Sequence, residues 1–248
     1  DPKLDESVSP DPLAAASGSI YVPEEKKQIV TASGKVIEAE AEHVGFREIY
    51  KVNINDAEQE QMQITGQKII FRGVNRHDAS LENGSAVTNQ EIIDDLKLMK
   101  QYNVNAVRTS HYPNAKILYD LADELGIYVY AEANVESHYG AYGDHKVPIP
   151  GGDSRWVTPV LDRNMNMLEL LKNHASIIGW SYGNEATYTR CPLDNTYCFW
   201  AAAMAVLNRD PSRLRMYERE SDGYYHRYQK DAGADPWGME TRSKNIVD

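Results

Sequence analysis

The chain has 248 residues, 42% hydrophobic and 25% charged, with 26 basic against 37 acidic side chains and a net charge of −11. That balance argues against a protein that tracks nucleic-acid phosphates, which needs a basic face. No apolar run approaches the ~18 residues that cross a bilayer, and two cysteines, Cys191 and Cys198, are too few for a disulfide scaffold.

Residues 1–19 hold Pro, Asp, Ser, Ala and Gly and no apolar stretch. They read as a linker or poorly ordered segment and not as a secretory signal. Residues 20–64 read as β structure, about the size of the closing strands of a small sandwich. Gln28–Thr31 and Lys35–Ala39 flank Ser33-Gly34, a hairpin signal, and Thr65-Gly66 marks a further turn.

From residue 65 onward the pattern alternates. Ile69–Val74 reads as a buried strand. Thr88 and Glu91 have the spacing of a capping box, opening a helix with Ile92, Leu96 and Met99 on one face. Asn105–Thr109 is the next strand. Ile117, Leu118, Leu121 and Leu125 form a second helical face, stopped by Gly126. Ile127–Ala133 is a third strand. Val160, Met167, Leu168 and Leu171 predict a third helix, and Ile177–Trp180 a fourth strand. Trp200, Met204 and Leu207 predict a fourth helix, Leu214–Tyr217 a fifth strand, and Ile246-Val247 the start of a sixth.

Strands alternating with helices predict an α/β fold with a parallel sheet. Polar clusters follow the strands: Asn75 to Asp78, Ser110-His111, Asn134 to His138, and Asn184-Glu185. Such residues past the carboxyl ends of successive strands fit a (β/α)8 TIM-type barrel, although a doubly wound sheet shares the feature. A whole barrel takes ~250 residues and eight strands. Only 180 residues follow Lys68. The expectation is therefore an incomplete barrel of about five to six β/α units over residues 65–248.

The chemistry-bearing residues sit in those clusters. Glu185, a carboxyl at a strand end beside an amide and near Trp180, suits a general acid. The plainer reading is a solvated or helix-capping glutamate. Glu136 and His138 are two apart on an extended segment and point to one side. With Glu185 they offer an oxygen-rich set suited to Mg or Mn; the plainer reading is a hydrogen-bonded pair. His77 and His111 occupy equivalent positions after consecutive strands. Arg76 and Arg108 lie beside them, each open to pairing with a strand-end carboxylate. Glu132 reads as the buried ion-pair partner of Arg108 in preference to a catalytic group. Tyr112, Tyr139, Tyr142, Tyr182 and Trp237 are candidate sugar-stacking aromatics.

These stretches, taken together, resemble the glycoside hydrolase family 2 β-galactosidases of the large bacterial type. The matching segments are Val44-Gly45-Phe46-Arg47-Glu48, Arg72 to His77, Asn105 to Asn114, Glu132 to His138, and Trp180 to Glu185. They lie in family order over roughly residues 35–218. The resemblance implies a retaining hydrolase of terminal β-D-galactosides, with the barrel preceded by immunoglobulin-like domains. Residues 20–64 would be the C-terminal part of such a domain. It implies Glu185 as acid/base, and Glu136, His138 and Glu185 as ligands of an active-site Mg2+. It further implies His77, His111 and Asn184 as lining of the galactose pocket, and a homo-oligomer for the full-length enzyme. The partner is then a β-galactoside, with no nucleic acid and no membrane. The β-glucuronidase branch shares the His-Tyr-Pro stretch but lacks the Glu136-Ser137-His138 type of motif and usually has Asn-Glu-Pro where Asn184-Glu185-Ala186 stands.

The family's nucleophile sits in a Glu-Tyr-Ala-His-like motif at the seventh strand, and these 248 residues contain none. Glu218 and Glu220 follow the fifth strand but do not match it. The isolated chain is therefore expected to be inactive or nearly so. The rival readings are a non-catalytic carbohydrate-binding or assembly fragment, a β-glucuronidase-type hydrolase of the same family, and a metal-dependent hydrolase using a metal-bound water.

Overall fold

The computed structural model describes residues 20–30, 33, 36–53, 60–137, 149–150, 153–186 and 197–216. Strands β1 (Ile20–Val30) and β2 (Val36–Phe46) pair antiparallel, and β3 (Ile49–Asn53), β4 (Glu60–Ile64) and β5 (Gln67–Lys68) form an antiparallel sheet. The expected hairpin between β4 and β5 is present. Thr65 and Gly66 both have positive φ, +49° and +78°, as a two-residue turn of the primed type requires.

The remaining elements alternate. They are β6 (Gly73–Arg76), α1 (Asn89–Gln101), β7 (Ala106–Thr109), α2 (Lys116–Leu125), β8 (Tyr128–Glu132), α3 (Val157–Leu171), β9 (Ile177–Ser181), α4 (Tyr197–Arg209) and β10 (Leu214–Met216). Local chemistry sets their ends. Thr88 caps α1 with its side chain accepting from Glu91 N, and the Glu91 carboxylate reaches back to Thr88 N at 2.8 Å. Gly126 closes α2 at φ +66°, where a side chain would be strained.

Strands β6 to β10 form one parallel sheet in unbroken sequential order. Among the described strands the order never reverses, so they show no switch point of the doubly wound kind. The four helices among the described residues cover one face. Ile92 and Leu96 of α1, Leu118 and Leu121 of α2, Met167 and Leu168 of α3, and Phe199 and Val206 of α4 share a core with Val107, Val129, Ile177 and Trp180. Each such side chain, fully buried, contributes roughly 1.5–3 kcal/mol. The other face carries a separate cluster of Ala106, Tyr128, Tyr130, Ile178 and Met216, closed by Ile49, Ile64, Ile69 and Phe71. Phe71 meets Tyr128 and Tyr130 edge-on at 5.7 and 6.1 Å. Helices on one face and side chains filling the other is barrel architecture.

Two expectations are corrected. The first strand of this sheet begins at Gly73, not Ile69, and its first three residues are exposed. It is the terminal strand among the described residues, with a neighbour on one side only. On α4 the inward face is Cys198, Phe199, Ala202, Ala203 and Val206, whereas Trp200 points outward. The two alanines leave room for α4 to lie against α3, and a Trp on that face would hold the helices apart. Ile246-Val247 lies outside the described residues.

One polar cluster ties the loop after α4 to β9. Asp210 accepts from Trp180 Nε1 at 3.0 Å, from Arg213 at 2.5 Å and from Ser212 Oγ at 2.6 Å. Burial alone would raise its pKa, but these donors and the Arg213 charge outweigh burial and hold it at about 2. A carboxylate whose pKa is depressed below its unfolded value stabilises the fold above that value and loses the contribution as pH falls toward the folded one. Asp210→Asn is therefore expected to cost about 2 kcal/mol at neutral pH. That deficit should shrink toward zero between about pH 4 and about pH 2, as checked by urea denaturation of both proteins across that window.

Candidate active site

The inner face of the sheet changes character along its strands. At the amino ends it carries Ala106, Tyr128 and Tyr130; two residues further along the same strands it carries Arg108 and Glu132. Residues two apart share a face, so each strand delivers an apolar base and then a polar tip.

Glu132 is the hub. It is fully buried and accepts from Arg108 Nε at 2.5 Å and from Ser181 Oγ at 2.6 Å. Its second oxygen lies 2.7 Å from His111 Nδ1. Arg108 reaches Asn75 Oδ1 at 3.2 Å and Asn184 Oδ1 at 2.9 Å with its two terminal nitrogens. Because Arg108 only donates, the Asn184 amide must turn its oxygen inward and its nitrogen outward. That nitrogen lies 3.1 Å from Glu136 Oε1. His111 Nε2 is 3.8 Å from the same oxygen. One continuous polar network thus joins the ends of β6, β7, β8 and β9.

His77 stands edge-on to His111 with ring centres 5.1 Å apart. Its Nδ1 is 3.5 Å from the Tyr112 hydroxyl, which accepts from Asp78 N at 3.1 Å. Arg76 anchors this loop from behind through Asp78 at 2.5 Å, Asp95 at 3.0 Å and Asn114 at 2.9 Å. Both arginines at the strand ends are therefore paired with carboxylates, as the sequence left open, and Glu132 is the partner of Arg108.

Glu185 is partly buried, immediately after Asn184, with φ +42°. Holding a non-glycine residue there costs of order 1 kcal/mol. The turn is pinned by Asn184 N donating to Val135 O at 2.8 Å and by a bridge pairing Asn184 with Glu136. So the structure brings His77, His111, Glu136 and Asn184 together, with Glu185 next in the chain. His138 lies outside the described residues, as do Tyr139, Tyr142, Cys191 and Trp237.

Two aromatic expectations are corrected. Trp180 does not back Glu185: its ring lies in the helix-side core, with Arg213 over it at 5.2 Å. Tyr182 is buried in the same core and has no face for stacking. Strand parity sends both outward while Ser181 between them points in. The sequence reading singles out neither Asn75 nor Ser181 as a member of the network; Asn75 is in register with Arg108 and Ser181 with Glu132, relations set by strand pairing and not by neighbours along the chain.

Among the described residues no group of three or more His, Cys, Asp or Glu could hold a metal. The candidate triad has two described members, Glu136 and Glu185, on the ends of neighbouring strands. Two carboxylates with one imidazole are a donor set that fits a hard cation.

Gly183 places this turn. Its φ is +151°, and a Cβ there would sit 2.5 Å from Val135 O and 3.0 Å from Val135 Cβ. The obstacle is backbone, so it cannot rotate away. Gly183→Ala is expected to destabilise by about 2–3 kcal/mol and to separate the β8 and β9 ends. Denaturant unfolding checks the first effect, and slowed exchange lost at the Asn184 amide checks the second.

Residues 52–236 match the family model described as glycosyl hydrolases family 2, TIM barrel domain. The chain is 39% identical over 214 residues to a β-galactosidase of Halalkalibacterium halodurans, covering 85% of this chain and 19% of that protein. It is 43% identical over 190 residues to a β-galactosidase of Pseudoalteromonas haloplanktis, covering 77% of this chain and 17% of that one. The chain thus spans about a fifth of the length of these curated relatives. Among solved structures, a β-D-glucuronidase of Dictyoglomus thermophilum superposes with a TM-score of 0.66 at 26% identity, over 78% of this chain and 32% of that one.

Proposed function

The chain belongs to glycosyl hydrolases family 2, whose TIM barrel domain it carries in part, and from that membership we propose that the whole protein is a retaining β-galactosidase with Glu185 as acid/base. The observation that carries the reading is the Asn184-Glu185 turn at the carboxyl end of β9. There a carboxyl stands at the mouth of the sheet beside a donor-rich network, in a chain about 40% identical to β-galactosidases.

Glu185 gives its proton to the glycosidic oxygen as that C–O bond breaks and a second carboxylate, supplied from outside these residues, bonds to the anomeric carbon. Glu185 then takes a proton from water as the water oxygen bonds to that carbon and the carboxylate leaves. His77, His111 and Asn184 line the galactose pocket: Asn184 donates through its outward nitrogen, and the histidines meet the sugar hydroxyls. Glu136, His138 and Glu185 are the residues that would hold Mg2+, which when bound supplies positive charge beside the acid/base.

A uronidase is the second reading, favoured by the likeness to the solved β-D-glucuronidase. A uronate carboxylate calls for an uncommitted cation. Arg76 and Arg108, the arginines at the ends of β6 and β7, are each engaged by carboxylates of the protein. Among the described residues at these strand ends, that supports a neutral sugar. The test is hydrolysis of nitrophenyl β-galactoside and β-glucuronide by the whole protein, with magnesium and with chelator. Galactoside turnover that falls on chelation is the expected result; preference for the glucuronide overturns the reading. The 248-residue chain alone is expected to turn over neither.

A further inference from the structure

We propose that Glu132 is a positioning residue that sets the tautomer of His111, so that the ring meets the substrate with a lone pair on Nε2. The proposal rests on the reading of His111 as a sugar-pocket residue.

Two groups compete for His111 Nδ1. Glu132 Oε1 lies 2.7 Å away and requires Nδ1 to donate. Arg108 lies 3.4 Å away and would require it to accept. The shorter contact is a well-formed hydrogen bond and the longer one is at the margin. The competing Arg108 nitrogen already donates to Asn184 Oδ1 at 2.9 Å. Glu132 itself has no room to change role. It is fully buried, and its other oxygen is held by Arg108 Nε and Ser181 Oγ. A carboxylate held between donors can only accept, so the ring hydrogen is committed to Nδ1. With the ring hydrogen on Nδ1, the lone pair falls on Nε2, on the side where Glu136 lies at 3.8 Å. Beside it Asn184 presents a donor, because Arg108 holds the amide oxygen. The pair offers the sugar one acceptor and one donor in fixed places, a pattern that distinguishes a hydroxyl that donates from one that only accepts.

The test is Glu132→Gln in the whole protein. Arg108 Nε and Ser181 Oγ, two donors, would keep the amide oxygen, leaving the amide NH2 facing His111 Nδ1. The ring would then have to accept at Nδ1 and carry its hydrogen on Nε2. Solid-state 15N spectra of the histidine-labelled protein, with His111 assigned by its loss in His111→Gln, read this directly. The wild type is expected to show a pyrrole-type Nδ1 and a pyridine-type Nε2, and Glu132→Gln the reverse. The value of kcat/KM for a β-galactoside is expected to fall by ~10²-fold in Glu132→Gln, as for other losses of an orienting partner. Glu132→Asp, which still only accepts, should keep the wild-type tautomer and recover part of the rate. A wild-type ring with a pyridine-type Nδ1, or with both nitrogens protonated, overturns the proposal even if Glu132→Gln does not fold. An exchanged tautomer with unchanged kcat/KM overturns it too. A wild-type protein without β-galactosidase activity sinks the functional reading alone, and the spectra still decide the tautomer.

Discussion

Glu185→Gln in the whole protein is expected to lower kcat on an alkyl β-galactoside by ~10²–10⁴-fold while leaving the fold intact. Gln is nearly isosteric with Glu, and the turn that carries it is held by the Asn184 N to Val135 O hydrogen bond and by the close approach of Gly183 to Val135. The loss falls on proton transfer. An alkoxide leaving group must be protonated as it departs, so the first step suffers most with such substrates. Nitrophenolate departs without help, so with that substrate the second step, removal of the water proton, becomes limiting. A small anionic nucleophile such as azide needs no base, and its addition should restore turnover of the nitrophenyl substrate and yield the β-galactosyl azide. Rates on the two substrates, with and without azide, check this. An equal loss on both with no rescue would remove Glu185 from the acid/base role.

Arg108→Met should produce the largest loss of stability of any single change in the site, about 3–5 kcal/mol. The reason is what it leaves behind. Glu132 is fully buried and would keep only Ser181 and His111 as partners. The oxygens of Asn75 and Asn184 would also lose their donor. Removing both charges is gentler than removing one: Arg108→Met with Glu132→Leu should recover at least ~1 kcal/mol of the loss, because no uncompensated charge remains buried. Denaturant unfolding of the two singles and the double closes the cycle. A single variant that unfolds like the wild type would mean that Glu132 finds another cation or stays protonated at little cost.

Much of this molecule is legible in its residues because the relevant signals are local. The Thr88 and Glu91 capping box, the Gly126 stop and the Thr65-Gly66 turn each depend on a few neighbouring residues, and each is where the spacing puts it. The clustering of polar residues just after the strands follows from the sheet being parallel, and it is enough to group His77, His111, Glu136 and Asn184 at one end of that sheet. The Arg108–Glu132 pair is legible for a related reason, since a charged residue inside a buried strand needs a partner of opposite sign. The failures are equally physical. Trp180, Ser181 and Tyr182 are consecutive, and whether the aromatics or the serine face the site depends on strand parity. An irregularity between Val129 and Tyr130 in the pairing with β9 shifts that parity, and no local signal announces it. On α4, two alanines were a better guide to the packed face than the large Trp200, because close approach to α3 decided the matter.

The sequence by itself determined the element order, the parallel sheet, the family, and the residue types that crowd the strand ends. These depend on periodicity, turn chemistry and motif spacing, all properties of neighbours along the chain. Only the tertiary structure decided which atoms of those residues meet. Glu132 meets Arg108 of β7, His111 of the loop after it and Ser181 of β9. Asn184 is turned by an arginine 76 positions away, and Gly183 is required by the carbonyl of Val135. Contacts between strands depend on register and on which oxygen a donor has already taken, and that information exists only once the strands lie side by side.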